Sequence, residues 1–325
     1  MKPITEDKIE YFAIEQLQSL GWDYIHGLAI APGAEQQERE SFEQVVLTER
    51  LRKAISTINP HIPQNAQEQA IQKVLRIYSP ELIHNNEEFH KLLLEKVKIP
   101  YQQDGYERSY EVGLIDFENL ENNQFRVVNQ FTVVEKNPAY GTGRQNKRPD
   151  IVLFVNGLPI VVIELKNAAD KDADIYSAYQ QIQTYKEMIP SLFTCNAICI
   201  ISDGLECKAG SVSAGFNRFM TWKTIGGEKE ASRFAPQLEV LIKGMLNHTT
   251  LLDIVRNFIV FQKTKKEDPK TGITQIHTEK ILAAYHQYYA VKKAVRSSIQ
   301  ASNKNGNGKG GVVWHTQGSG KSLSM

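Results

Sequence analysis

PDIVLFVNGLPIVVIELKN, residues 149–167, decides how this chain is read. Two apolar runs, DIVLFV and PIVVIEL, flank Asn156-Gly157. Asn-Gly supplies the two left-handed residues of a tight two-residue turn, so the stretch predicts an antiparallel hairpin. Asp150 opens the first strand behind Pro149, and Glu164 and Lys166 close the second. Residues two apart on a strand face the same side, which puts Glu164 and Lys166 together. The register then matters. A plain two-residue turn would pair Asp150 with Ile163 and leave Glu164 on the wrong face. A three-residue loop or a bulge would pair Asp150 with Glu164, and that is the expectation.

The surroundings extend the hairpin into a mixed α/β core. QFRVVNQFTVV (124–134) is rich in β-branched and aromatic residues and predicts one strand. Residues 173–189 predict a helix with Ile175, Tyr179, Ile182 and Ile189 on one side, and AICIIS (197–202) another buried strand. Residues 5–20 predict a helix that Thr5 can cap, with Glu6 and Asp7 in the first turn and Gly21 at its end. LTERLRKAISTI (47–58) and NAQEQAIQKVLRIY (65–78) are amphipathic helix candidates. Residues 236–261 and 279–298 predict helices separated by the charged loop KTKKEDPKTG. NKNGNGKGG (303–311) is a flexible spacer before VVWHTQGSGKSLSM.

Composition bounds the class without choosing the function. A chain of 325 residues suits two domains, divided here as 1–250 and 251–325. With 41% hydrophobic and 23% charged residues it can bury a real core and is not a disordered chain. There is no apolar run of about 18 residues, so no membrane-spanning helix is expected. MKPITEDKIEYF lacks the apolar segment of a secretory signal, and a cytoplasmic location is expected. The formal net charge of +1 gives no basic excess to mark a nucleic-acid partner. Local basic clusters (Arg144, Lys147 and Arg148; Lys263, Lys265 and Lys266) are as well explained by solvated loops. Cys195, Cys199 and Cys207 fit no zinc spacing and are expected as buried thiols.

Asp150, Glu164 and Lys166 suit one chemistry. Mg²⁺ takes oxygen ligands, commonly one or two carboxylates with waters and phosphate oxygens. Asp150 and Glu164 would supply the carboxylates and the Leu165 carbonyl a further oxygen. Lys166 would orient an attacking water or balance charge on the phosphorane-like transition state.

Pro149-Asp150 followed by Glu164-Leu165-Lys166 resembles the PD-(D/E)xK nuclease signature. Gln181-Ile-Gln-Thr-Tyr185 on the next helix is similar to the Q-x-x-x-Y motif of RecB-like nucleases and of type I restriction motor subunits. The resemblance implies that Gln181 and Tyr185 steady the site and contact DNA. Both are read as lying away from the isoleucine stripe. Relatives offer a glutamate from an early helix as a further metal ligand, which points to Glu10, with Glu6 as competitor. Thr316-Gln317-Gly318-Ser319-Gly320-Lys321-Ser322 resembles the Walker A loop of superfamily 2 helicases, although His315 stands where Gly or Ala is usual. The resemblance assigns Lys321 to the β- and γ-phosphates of ATP, Ser322 to Mg²⁺, and the backbone of Thr316, Gly318, Ser319 and Gly320 to the phosphate cradle. YHQYYAV (285–291) is similar to the region where a glutamine reads adenine, here Gln287.

Similarity to the type I restriction motor subunit runs through most of the chain. It implies a PD-(D/E)xK core, a mixed sheet flanked by helices, followed by the start of a RecA-like motor. It implies a Mg²⁺-dependent double-strand DNA endonuclease that cuts when ATP-driven translocation stalls, with methylation and specificity subunits as partners. The sequence stops in the helix that the phosphate loop should open, so a portion of a longer subunit is expected. Three alternatives stay open: a RecB-like repair nuclease-helicase, a non-catalytic DNA-gripping module on the nuclease fold, and a plain ATPase with an unrelated first domain. The nuclease preceding the phosphate loop argues against the first. Mg²⁺ binding at Asp150 and Glu164 separates the second, and a purely structural hairpin would favour the third.

Overall fold

The computed structural model describes residues 5–136, 143–167, 174–267 and 274–313. A mixed six-stranded sheet runs through the middle. Its strands, in spatial order, are β1 (Asp23–His26), β4 (Phe125–Asn129), β7 (Ile151–Val155), β8 (Leu158–Leu165), β9 (Ile198–Ser202) and β10 (Cys207–Gly210). β1 is parallel to β4 and β8 to β9; the other pairings are antiparallel. Three two-stranded ribbons stand beside it: β2 (Val97–Gln103) with β3 (Tyr106–Val112), β5 (Val133–Lys136) with β6 (Arg144–Lys147), and β11 (Ile259–Glu267) with β12 (Thr274–Leu282). The helices are α1 (Glu6–Ser19), α2 (Thr48–Ile58), α3 (Gln64–Leu75), α4 (Leu82–Glu95), α5 (Ile175–Met188), α6 (Gln237–Met245), α7 (His248–Asn257) and α8 (Tyr285–Ser302).

The central strands are apolar on both faces because both faces are covered. Ile151, Leu153, Val161 and Ile163 join one cluster with residues of α1, α2, α3, α6 and α7. Val152, Phe154, Val162 and Ile201 join the other, with Ile175, Ala178, Ile182 and Tyr185 of α5. Asp174 caps α5: its side chain accepts from the Ser177 N–H, and the Ser177 hydroxyl accepts from the Asp174 N–H. Such a cap is worth about 1 kcal/mol.

The β7–β8 hairpin resolves the register question. Asn156 (φ +55°) and Gly157 (φ +81°) make a two-residue turn between Val155 and Leu158. The ladder then slips: Phe154 pairs with Pro159, but Leu153 pairs with Val161. Ile160 is the extra residue of a β-bulge, and Ile160 and Val161 both enter the same cluster. Beyond the bulge Ile151 lies opposite Ile163, which brings Asp150 opposite Glu164 as the bulge reading requires.

Other expectations change. QFRVVNQFTVV is two strands, because Gln130 adopts φ +53° and turns the chain out of the main sheet. Thr5 occupies the N-cap of α1 without making a side-chain capping bond. Residues 236–261 form two helices and the start of a strand, and 279–298 gives its first residues to β12. On β12 the alternate residues Thr278, Lys280 and Leu282 are buried. Two of those three are polar, so the period of two is invisible to a search for apolar alternation. The dividing line at 250 falls inside α7, and Leu251, Leu252, Ile254 and Val255 share a cluster with the sheet. All three cysteines are free and buried. Among the described residues no helix is long and apolar enough to cross a membrane.

Candidate active site

The ends of β7 and β8 bring the hairpin acids together. The Asp150 carboxylate accepts a hydrogen bond from the Leu165 N–H at 2.8 Å, fixing it across the strand pair. Glu164 is only 2% exposed. One of its oxygens accepts from Lys166 Nζ at 2.8 Å, while the other, Oε2, is buried without a hydrogen-bond donor. Lys166 Nζ also reaches the Leu165 carbonyl at 3.0 Å and Glu6 at 3.1 Å. The Leu165 oxygen, a sequence-predicted metal ligand, is thus engaged by the ammonium group.

α1 brings two of its acids, Glu6 and Glu10, to the same place. Glu6 pairs with Lys166, and Glu10, 9% exposed, is held by side-chain amides: Asn129 Nδ2 donates to one oxygen and Gln130 Nε2 to the other, each at 2.6 Å. Across the sheet, Tyr185 lies on the buried side of α5 rather than away from the isoleucine stripe. Ile182 and Tyr185 are three residues apart and share one helical face. Its hydroxyl donates to the Arg148 carbonyl at 3.3 Å, and the side chains of Glu164 and half-buried Gln181 lie beside the same hydroxyl.

Burial in the company of like charge sets the electrostatics. Glu164 is pushed up to about 8, by burial and then by the Asp150 charge, with Lys166 opposing. Asp150 is pushed up to about 6 by burial; the Leu165 N–H and Lys166 oppose, and Glu6 and Glu10 add to the rise. Burial works against the Lys166 ammonium, but the negative charges of Glu164, Asp150 and Glu6 outweigh it and raise its titration. Burial and the neighbouring Glu164 and Asp150 charges raise Tyr185. Two carboxyls that resist ionising together, one with an unpartnered buried oxygen, match what a divalent cation neutralises. Among the described residues no three His, Cys, Asp or Glu side chains form a ready metal cage.

The second predicted site is divided. Thr316, Gly318, Ser319, Gly320, Lys321 and Ser322 lie outside the described residues. Gln287 stands in the first turn of α8, where its side-chain oxygen accepts from the Ala284 N–H at 2.8 Å. It lines a cavity of about 330 Å³ together with Arg218, Glu279 and His286.

Comparison with known proteins supplies the family. The family described as "Type I restriction enzyme R protein N terminus" matches residues 3–218. The chain belongs to this family. That match takes in α1, the hairpin and α5, hence every residue of the carboxylate cluster. Residues 286–325 match the SWI2/SNF2 ATPase family, a stretch that holds the glycine-rich loop. Among curated proteins the chain is 38% identical to the type I restriction enzyme HindI endonuclease subunit of Haemophilus influenzae, over 99% of this chain and 29% of that protein. It is 31% identical to the putative type I restriction enzyme MjaIXP endonuclease subunit of Methanocaldococcus jannaschii, over 99% of this chain and 31% of that one. The chain therefore spans about three tenths of the length of these R-subunit relatives. Sequence reading missed Asn129, Gln130 and Tyr24, which surround Glu10. An Asn-Gln pair ending a β-branched run was the only trace of them, and no residue type there announces a positive φ.

Proposed function

We propose that this chain carries a Mg²⁺-dependent endonuclease site for double-stranded DNA, the cutting part of a type I restriction R subunit. The observation that carries the reading is the bulge at Ile160. It brings Asp150 opposite Glu164, beside Lys166 and with one Glu164 oxygen unpartnered. On this reading the sheet and its helices are a PD-(D/E)xK restriction-endonuclease-like core. Residues 251–325 then lead from it into a RecA-like motor.

Asp150, Glu164, the Leu165 carbonyl and Glu10 would hold the cation. When bound, Mg²⁺ supplies Lewis-acid polarisation of the scissile phosphate and a more acidic water. Lys166 sits where it exchanges its Glu6 contact for that water or for a phosphate oxygen, orienting the nucleophile and offsetting developing charge. Tyr185 and Gln181 close the α5 side, leaving Glu164 little freedom to turn. Hydrolysis adds water across one P–O bond and breaks it, with the departing oxygen taking a proton. The glycine-rich loop at 316–322 would bind ATP in the whole subunit, with Gln287 at the adenine. Translocation up to a stall would deliver the DNA, and methylation and specificity subunits would choose the site.

The test is nicking and linearisation of supercoiled plasmid with Mg²⁺ by the parent chain, Asp150→Ala and Lys166→Ala, beside calorimetric Mg²⁺ titration of each. Cutting by the parent alone, or Mg²⁺ binding that Asp150→Ala abolishes, supports the assignment. Parent protein that binds no Mg²⁺, or cutting that survives both substitutions, overturns it.

A further inference from the structure

Glu10 makes no ion pair among the described residues, yet both of its oxygens are taken by one dipeptide. Asn129 ends β4, and Gln130 is the left-handed residue that follows. A non-glycine residue at positive φ costs on the order of 1 kcal/mol or more and persists where its surroundings demand it. Here the same corner serves three contacts. The Gln130 N–H donates to the Asp150 carbonyl at 2.8 Å, its side-chain amide to Glu10, and the Asn129 carbonyl accepts from the Gly27 N–H at 2.8 Å. Gly27 must lack a side chain, because a Cβ there would lie 2.5 Å from the Gln130 carbonyl oxygen.

The amide orientation is also fixed. The Tyr24 hydroxyl donates to Asn129 Oδ1 at 3.2 Å, which turns Nδ2 toward Glu10. Swapping the two ends of the amide would set Oδ1 against the Glu10 carboxylate, acceptor against acceptor, and lose that bond. One corner of main chain thus ties an acid on α1 to the backbone of the acid beside β7.

We propose that Asn129 and Gln130 are positioning residues that clamp Glu10 beside Asp150 for a divalent cation. This rests on the metal-dependent reading of the site. The clamp acts through Glu10 and touches neither substrate nor cation. A side chain that orients a metal ligand typically changes metal affinity 10–100-fold when removed, with little effect on the fold.

Gln130→Gly separates side chain from backbone. Glycine keeps the left-handed conformation and the N–H to Asp150, and removes only the amide. Mg²⁺ and Mn²⁺ affinities are measured by calorimetry for the parent, Gln130→Gly, Glu10→Ala and the double variant, with thermal unfolding as a check on the fold. The expected result is affinity weakened about tenfold in Gln130→Gly, with no further loss when Glu10→Ala is already present. A merely structural role would lower the unfolding temperature and give additive losses. Parent-like affinity in Gln130→Gly, while Asp150→Ala abolishes binding, overturns the clamp and leaves the endonuclease reading standing. Absence of any binding by the parent overturns both.

Discussion

Replacing Glu164 by glutamine should stabilise the metal-free protein, and only above a definite pH. Glu164 is 2% exposed, so solvent does little to screen it. A carboxyl that titrates near 8 in the folded chain and at 4.5 in the open chain favours folding while protonated. That contribution is complete below about pH 4.5, shrinks through the interval, and is gone above about pH 8. The full interval is worth at most about 5 kcal/mol. Asp150 shares the ionisation and Lys166 offsets part of it, so roughly 2–4 kcal/mol is expected. Glutamine keeps the shape, still accepts from Lys166 Nζ, and never ionises. Urea unfolding in chelator at pH 5 and pH 8 gives the measurement. The two proteins should agree within about 1 kcal/mol at pH 5 and separate at pH 8, with the variant the more stable. Millimolar Mg²⁺ at pH 8 should then stabilise the parent and leave the variant where it was. A gap that stays the same between the two pH values would refute the reasoning, since it would show that burial has not raised this carboxyl.

Gly157→Ala should cost at least about 2 kcal/mol in the same unfolding assay, because the residue is left-handed and a Cβ would strike the Leu47 carbonyl oxygen. Asn86→Ala should destabilise by about 2–4 kcal/mol. It strips the carbonyls of Phe193 and Thr194 of their Asn86 donor and leaves buried Lys280 Nζ with the Asn196 carbonyl alone. Cys195, Cys199 and Cys207, buried and with their thiols pushed up by burial, should resist a thiol reagent in the native state and react together on unfolding. Fast labelling of one cysteine in native buffer would count against the packing described around it.

The hairpin was the legible part of this molecule. Asn156-Gly157 gave the turn, and requiring Asp150 and Glu164 on one face demanded an irregularity whose place, Ile160, only the ladder could supply. Glu10 and Glu6 were legible as candidates only through the resemblance, since relatives offer a glutamate from an early helix; the structure brings both to the cluster, in different roles. Tyr185 was misplaced because a tyrosine with one polar atom reads as a surface residue, whereas its ring packs with Ile182 and its hydroxyl turns to the Arg148 carbonyl. β11 and β12 escaped because inward positions on β12 hold Thr278 and Lys280, and the buried Lys280 ammonium finds its partners far away in sequence, such as Asn86. The Gln130 corner was illegible for a related reason. Its conformation is imposed by Gly27, Glu10 and Asp150, none of them a neighbour in the chain.

α1 packs against α6, and Trp22 just beyond it donates to the Leu246 carbonyl at the end of α6 at 3.0 Å. Order of synthesis gives that contact a meaning. Glu6 and Glu10 are made well before the helix that seats them, which lies more than two hundred residues downstream. At ribosomal speeds of roughly 5–20 residues per second, the acids of α1 wait on the order of ten to fifty seconds for their support. The hairpin can pair in the meantime, yet the carboxylate cluster is complete only after α6 has left the ribosome. A chain halted between Lys166 and α6 would carry every acid of the cluster and still lack the support that holds them in one place.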